Sequence, residues 1–320
     1  MRKAIIGLFC CLLFFPMTAA QPNEAVLIPK SFLNLLFSEQ QDWIVLLAET
    51  SSQKAYLISF QMSPVSVKGY SNQPEVEFVI LKEFSISSGK QKGSKRSEWD
   101  LRTPEGYYRI TQYRPPHTLQ DKFGTGAFIL NYPNELDRIL EKTGSGIWVH
   151  GTDRIDFIDC DSEGCLRMKN EDIVFLRDYL VPDQTPVIIV NQIDWQTTDS
   201  LCSVQNEWRN RFSGWLSAQA NNNLTRFLTF YHPSFYAPIL NKDMARWSLY
   251  QKETIFNEET PAVLSFSDPK ILYHQDFLLW KGLQTTPAAQ NTNSKLRTVL
   301  WQFTEGEWYI VRETNEEATE

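Results

Sequence analysis

The sequence predicts an α+β protein, with a mainly β part first and then a smaller part in which helices pack on an antiparallel sheet. Three observations predict it. From Trp43 to Val190 the chain breaks into short runs rich in aliphatic and aromatic residues, with polar turns between them. From Val204 to Tyr231 apolar residues recur at the spacing of a helix buried on one face. Strand-like runs return at Ala262, and the last two meet at Glu305-Gly306 as a hairpin.

Met1-Arg2-Lys3 is a short basic start, Ala4 to Phe15 is apolar, and Thr18-Ala19-Ala20 places small residues before Gln21. The apolar run is shorter than the roughly 20 residues a bilayer requires, so residues 1–20 read as a cleavable secretory signal, with an uncleaved anchor as the alternative. Ile28 to Phe37 reads as a short helix or ordered lead-in. Asp42 to Ala48 is a buried strand, Ala55 to Phe60 a second joined to it by Ser51-Ser52-Gln53, and Val76 to Phe84 a third. A polar loop then runs to Asp100. Arg102 to Ile110 is a turn followed by a strand, since Pro104 with Gly106 behind it is ordinary turn chemistry. Ile147-Trp148-Val149 is a strand that ends at His150. Asn170, Glu171 and Asp172 read as the N-cap and acidic first turn of a helix reaching Leu180. Val187 to Val190 is the closing strand of the first part, and Gln192 to Ser200 a linker.

Beyond the linker, Val204, Trp208, Phe212, Trp215 and Leu216 form one helical stripe, and Leu224, Phe227, Leu228 and Tyr231 a second. Met244 to Ile255 is a third helix. Ala262 to Phe266, Ile271 to Trp280, Leu296 to Phe303 and Glu307 to Arg312 are strands, and Glu313 onward is an acidic, frayed tail. The expected organisation is therefore a signal at 1–20, a first domain with its linker at 21–200, a second at 201–313 and a tail at 314–320.

Composition excludes several classes of function. The 320 residues, 42% hydrophobic and 22% charged, suit about two globular domains rather than a disordered chain or a membrane bundle. The net charge of -7 becomes -9 without Arg2 and Lys3, with 29 basic against 38 acidic residues, and no basic patch offers itself to nucleic acid. Cys10 and Cys11 leave with the signal. Cys160, Cys165 and Cys202 remain, an odd number, so at least one thiol stays free in an oxidising compartment. Cys160 can pair with Cys202, or reversibly with Cys165 and switch it off.

The chemistry concentrates between Gly146 and Met168. A cysteine attacks as thiolate and is mostly protonated at neutral pH, so it needs a base beside it and a third group to orient that base. His150 is the nearest base to Cys165. Gly151 lets the backbone turn, and Gly164 allows a close backbone approach at which the amides of Gly164 and Cys165 can face an oxyanion. The planar fork of Arg167 suits a carboxylate or braces the loop. Zinc held by His150, Cys160 and Cys165 lacks a convincing fourth ligand. His117, His232 and His274 read as loop or structural histidines.

His150-Gly151-Thr152, followed after an insert by Ser162-Glu163-Gly164-Cys165-Leu166-Arg167, resembles the L,D-transpeptidase catalytic domain, or YkuD family, whose motif reads His-Gly-Thr, insert, Ser-x-Gly-Cys-x-Arg. Thr103-Pro104-Glu105-Gly106-Tyr107-Tyr108 resembles its Thr-Pro-x-Gly-x-Tyr segment, and Phe128 to Asn134 the stretch before its catalytic strand. The resemblance spans about Trp43 to Asn191. It implies a nucleophile at Cys165, a base at His150 oriented by the Gly151 carbonyl, and an exported, periplasmic enzyme acting on peptidoglycan stem peptides without metal or cofactor. It implies substrate contacts from Arg167, Thr152, Ser162, Tyr132 and Asn131. The acyl group passes to an amine in a transpeptidase or to water in an L,D-carboxypeptidase; a non-catalytic peptidoglycan-binding module is the reading of another class.

Trp215-Leu216-Ser217-Ala218, Phe230 to Phe235 and Gly306 to Val311 resemble the cone fold shared by nuclear transport factor and ketosteroid isomerase, helices on a curved antiparallel sheet. The expected fold is thus a mainly β catalytic domain followed by a smaller α+β cone, a pairing that resembles cell-shape L,D-carboxypeptidases. A cone leaves room for a protein or glycan ligand.

Overall fold

A computed structural model describes residues 26–63, 75–154, 156, 158–238, 240–254, 256, 265–287 and 292–317. The expected signal, Ile255, residues 262–264 of one expected strand and the last three residues of the tail lie outside them. Among the described residues no helix is long and apolar enough to cross a membrane.

The lead-in is a strand, β1 (Leu27–Pro29), then a 3-10 turn and one helical turn, α1 (Leu33–Leu36). β2 (Asp42–Glu49), β3 (Lys54–Ser63) and β4 (Glu75–Ser85) form an antiparallel meander. β5 (Gly106–Arg114), β6 (Ala127–Leu130), α2 (Glu135–Ile139), β7 (Trp148–His150), β8 (Leu166–Arg167), α3 (Asn170–Leu176) and β9 (Pro186–Val190) follow. Eight strands make one sheet in the order β4-β3-β2-β9-β5-β6-β7-β8. β9 inserts parallel to β2 and antiparallel to β5, so the last strand of this part closes its middle. Both faces there are covered. Val45 and Leu47 enter one core while Leu46 and Ala48 enter another, which is why β2 reads as an unbroken apolar run rather than an alternating one.

The expected linker is ordered structure. β10 (Trp195–Thr197) pairs with β1, and α4 (Thr198–Ala220) starts at once because Thr197 Oγ1 accepts from the Ser200 amide at 3.2 Å, an N-cap hidden in a polar stretch. After α5 (Leu224–Leu228) come β11 (Tyr231–Ala237), β12 (Lys242–Asp243), α6 (Met244–Thr254), β13 (Ser265–His274), β14 (Phe277–Pro287), β15 (Thr292–Thr304) and β16 (Glu307–Glu317). The six strands run β12-β11-β16-β15-β14-β13, antiparallel except where β11 meets β16. On α4, Trp208 and Trp215 pack edge-on against Trp301 of this sheet.

Three expectations are corrected here. Tyr231 opens a strand rather than closing a helical stripe. The run from Ile271 to Trp280 is two strands, because Gln275 takes the left-handed φ of 55° and turns the chain. The acidic tail is the end of β16, and Glu313 is buried at 2% exposure, its Oε1 2.7 Å from Arg297 Nε and its Oε2 accepting from the Tyr231 hydroxyl. A carboxylate with such partners stays in a strand that composition alone would fray.

The two parts share a core. Phe32 and Leu33 of the lead-in join Ile58 and Phe60 of the first sheet and Trp280 and Trp301 of the second. Asn34 is the rivet: its Nδ2 donates to the Tyr273 carbonyl at 2.8 Å and its Oδ1 accepts from the Tyr273 amide at 2.7 Å. The Arg312 guanidinium adds a donation to the Ile139 carbonyl at 2.6 Å.

Candidate active site

β7 and β8 form the far edge of the first sheet, and their parallel register sets His150 beside Arg167. His150 Nδ1 lies 2.6 Å from the Gly151 carbonyl. A carbonyl only accepts, so Nδ1 carries the proton and Nε2 keeps its lone pair. Burial pushes the His150 pKa down to about 4; the Gly151 carbonyl opposes this, and the Arg167 and Lys122 charges add to it. The Phe123 ring stands edge-on to the imidazole with centroids 5.0 Å apart, and packs on Trp148 at 4.6 Å.

Gly151 is required by close approach. A Cβ there would come 2.3 Å from Asn170 Oδ1 and 3.0 Å from the Thr125 amide. Asn170 Oδ1 accepts from the amides of Thr125 and Thr152, and its Nδ2 donates to the Thr152 carbonyl at 2.8 Å. Asn170 is therefore not the N-cap expected from the sequence. Lys169 precedes α3 without a side-chain cap, Asn170 is the first helical residue, and its amide clamps the histidine loop. The helix ends at Leu176, short of the Leu180 expected.

Cys165 sits in the tight turn before β8. Ser162 Oγ donates to the Cys165 carbonyl at 2.6 Å and accepts from the Gly164 amide at 3.1 Å. Gly164 has φ of 134°, and a Cβ there would lie 2.8 Å from the Arg102 carbonyl, so the turn admits only glycine. Cys165 Sγ is 3.5 Å from the Gly146 carbonyl. Burial pushes the thiol up to about 11, against a hydrogen bond from the Trp148 amide that favours the thiolate. At neutral pH both the thiol and the imidazole are uncharged.

These groups share a cleft of about 400 Å³ lined by His150, Thr152, Ser162, Cys165, Arg167 and Trp148, among others. Arg167, 8% exposed, donates from Nη2 to the carbonyl of Asp161 and reaches its Oδ2 at 3.3 Å. Asp161 also meets Arg154 at 2.5 Å and Lys90 at 3.8 Å. Arg167 is thus a brace for the cysteine loop that also faces the cleft. A second brace carries the rim. Asp100, which burial would push up, is held down to about 2 by Lys95 and by the amides of Arg96, Ser97 and Arg102.

Several expected roles change. The Gly164 amide points at Ser162 rather than at a developing oxyanion, because Ser162 needs that donor to close the turn. Asn131 and Tyr132 stand outside the cleft lining. Asn131 Oδ1 accepts from the Arg109 amide at 2.8 Å, and Tyr132, 5% exposed, donates its hydroxyl to the Thr143 carbonyl at 3.1 Å. All three cysteines are free, so neither proposed pairing of Cys160 is present; its amide bonds Gln53 Oε1 at 3.2 Å. Among the described residues no group of His, Cys, Asp and Glu comes together as metal ligands. Sequence reasoning missed Phe123, Asp161 and the clamp role of Asn170. The glycines of Gly124-Thr125-Gly126 were the available signal, since a Cβ on Gly124 would strike Asn170 Oδ1.

Residues 75–189 match the YkuD family, the L,D-transpeptidase catalytic domain, inside the span at which the sequence motifs resemble it. No curated protein matches the chain. Among solved structures the chain is similar to Bd1075 of Bdellovibrio bacteriovorus, at 25% identity and a TM-score of 0.64 over 92% of this chain and 100% of that one. It is also similar to the helical cell shape determining protein Pgp2 of Campylobacter jejuni, at 18% identity and a TM-score of 0.63 over 89% of this chain and 99% of that one. At that second identity the likeness speaks for the fold, α+β across both parts.

Proposed function

We propose that the protein is a peptidoglycan-modifying cysteine acyltransferase, an L,D-transpeptidase working in the periplasm. The observation that supports it best is the His150 ring, tied through Nδ1 to the Gly151 carbonyl, in one cleft with the Cys165 thiol. In this reading Cys165 Sγ attacks the carbonyl of the L-centre of the diamino acid in a tetrapeptide stem as His150 Nε2 takes the thiol proton. The amide C–N bond then breaks, the imidazolium returns that proton to the amine of D-alanine, and a thioester remains. Because both partners rest uncharged, the proton leaves with the attack rather than before it. Among the described residues the Cys165 amide has no hydrogen-bond partner, which suits it to the oxyanion better than the engaged Gly164 amide.

An amine from a second stem attacks the thioester as His150 takes its proton; the C–S bond breaks, His150 returns that proton to the Cys165 sulfur, and a cross-link remains. Water in the same position makes the enzyme an L,D-carboxypeptidase. This second reading is favoured by the position of Cys165, half-buried in a cleft and still reached by solvent. Either outcome alters the wall, and the similar Pgp2 is described as determining helical cell shape. The test is mass spectrometry of the mature protein with disaccharide tetrapeptide, with and without an amine acceptor. D-Alanine release with a dimer or exchange product is the expected result. Tripeptide under both conditions would assign the carboxypeptidase, and no change with Cys165 a free thiol would leave only a binding module.

A further inference from the structure

We propose that Trp99 is a platform for a sugar ring at the mouth of the cleft, so that the enzyme holds a stem peptide together with the glycan that carries it; this rests on the peptidoglycan reading above. Trp99 is 79% exposed, the most exposed large apolar side chain among the described residues, and it lines the cleft. Its φ is 64°, and Leu101 two residues on has φ of 56°, a conformation bulky side chains rarely adopt. An indole both strained and open to water is disfavoured on its own, so the surrounding turn must impose it.

That turn is built to do so. The Asp100 carboxylate accepts from Lys95 Nζ at 2.7 Å, from the Arg96 amide at 2.8 Å, from the Ser97 amide at 3.1 Å and from the Arg102 amide at 3.2 Å. Lys95 is itself buried, at 3% exposure. The turn is fastened to the opposite loop: the Thr143 amide donates to the Arg96 carbonyl at 3.0 Å, and Thr143 Oγ1 accepts from the Glu98 amide at 3.1 Å. Three residues on, the Gly146 carbonyl lies 3.5 Å from Cys165 Sγ. The backbone that carries the indole is therefore held by a short chain of hydrogen bonds in a set relation to the nucleophile.

The ligand class follows from chemistry. The reacting end of a stem carries a charged diamino acid and a methyl side chain, neither of which offers a flat apolar face. A pyranose does, through its axial C–H bonds, and it presents hydroxyls to flanking polar groups such as Glu98.

The test is calorimetry on the Cys165→Ser protein with two ligands, disaccharide tetrapeptide and the free tetrapeptide, in the Trp99 background and with Trp99→Ala and Trp99→Phe. The expected result is a preference of about tenfold for the disaccharide form that falls to near one in W99A and is largely kept in W99F. A preference absent from the Trp99 protein, or the same in W99A, would overturn the platform. Circular dichroism of W99A checks its fold, and W99F alone still discriminates a flat ring from a lost one. Turnover by the wild type is read separately: binding with the predicted preference but no D-alanine release would sink the proposed reaction and leave the sugar subsite standing.

Discussion

Two cavities of similar volume lie in this molecule, and each holds a histidine that burial pushes down to about 4. One is the cleft of about 400 Å³ with His150; the other, of about 370 Å³, lies at the junction of the two parts and is lined by His274 with Asn34, Glu105, Tyr107 and Asp276. Cavity size and a neutral imidazole are therefore common to both and do not by themselves single out the cleft. In the cleft a backbone carbonyl fixes the proton on Nδ1 and a thiol shares the space. At the junction no thiol lines the cavity, and among the described residues no hydrogen bond orients the His274 ring. The nearby Lys142 charge only deepens its neutrality.

Four experiments would break or sharpen that contrast. Cys165→Ala should lower kcat on the order of 10⁶-fold with the circular dichroism spectrum unchanged, whereas His274→Gln should leave turnover within about twofold; comparable losses would erase the distinction. His150→Gln should cost about 10² to 10⁴ in kcat. In the wild type the acid limb of kcat/KM should fall near pH 4, since His150 stays neutral and able to accept a proton down to that pH. A limb near 6.5 would show the ring is not desolvated as its burial implies. Gly151→Ala places a Cβ against Asn170, and should cost about 1–3 kcal/mol in denaturant unfolding together with activity; full activity would show that the clamp does not set the ring.

The smallest effect is on stability against pH. Unfolded histidines take up protons below about pH 6.5 that buried His150 and His274 refuse until about 4, so stability should decline as pH falls through that window and level off below it. Cys165 acts at the other end: its folded thiol keeps a proton that the unfolded one loses above about 9, so stability should decline from there toward 11. Thermal melts of H274Q should show a shallower acid decline than wild type and an unchanged alkaline one.

Much of the fold was readable because its signals are local. The apolar runs of β2, β3 and β9 and the tryptophan stripe of α4 state both period and burial. What misled were positions whose partners lie far along the chain. Thr197 as an N-cap was lost in a polar stretch taken for a linker. Glu313 read as frayed because its partner, Arg297, is on another strand. Asn170 had the sequence of a cap, yet its amide is spent on Thr125 and Thr152. That His150 and Cys165 would stand near one another was legible from the motif, and the two line one cleft. The assignments of Asn131 and Tyr132 were not legible: both lie just past the end of β6, where the Arg109 amide takes the Asn131 side chain and the Thr143 carbonyl the Tyr132 hydroxyl.

The sequence by itself determined the chemistry available: one histidine followed by glycine and one cysteine preceded by glycine, in a single short stretch of the chain. Only the tertiary structure decided what those groups can do. Hydrogen-bond direction and desolvation depend on neighbours brought from distant segments. The Gly164 amide went to Ser162, Arg167 to Asp161, the imidazole into a buried setting and the thiol into a half-buried one, and both rest uncharged.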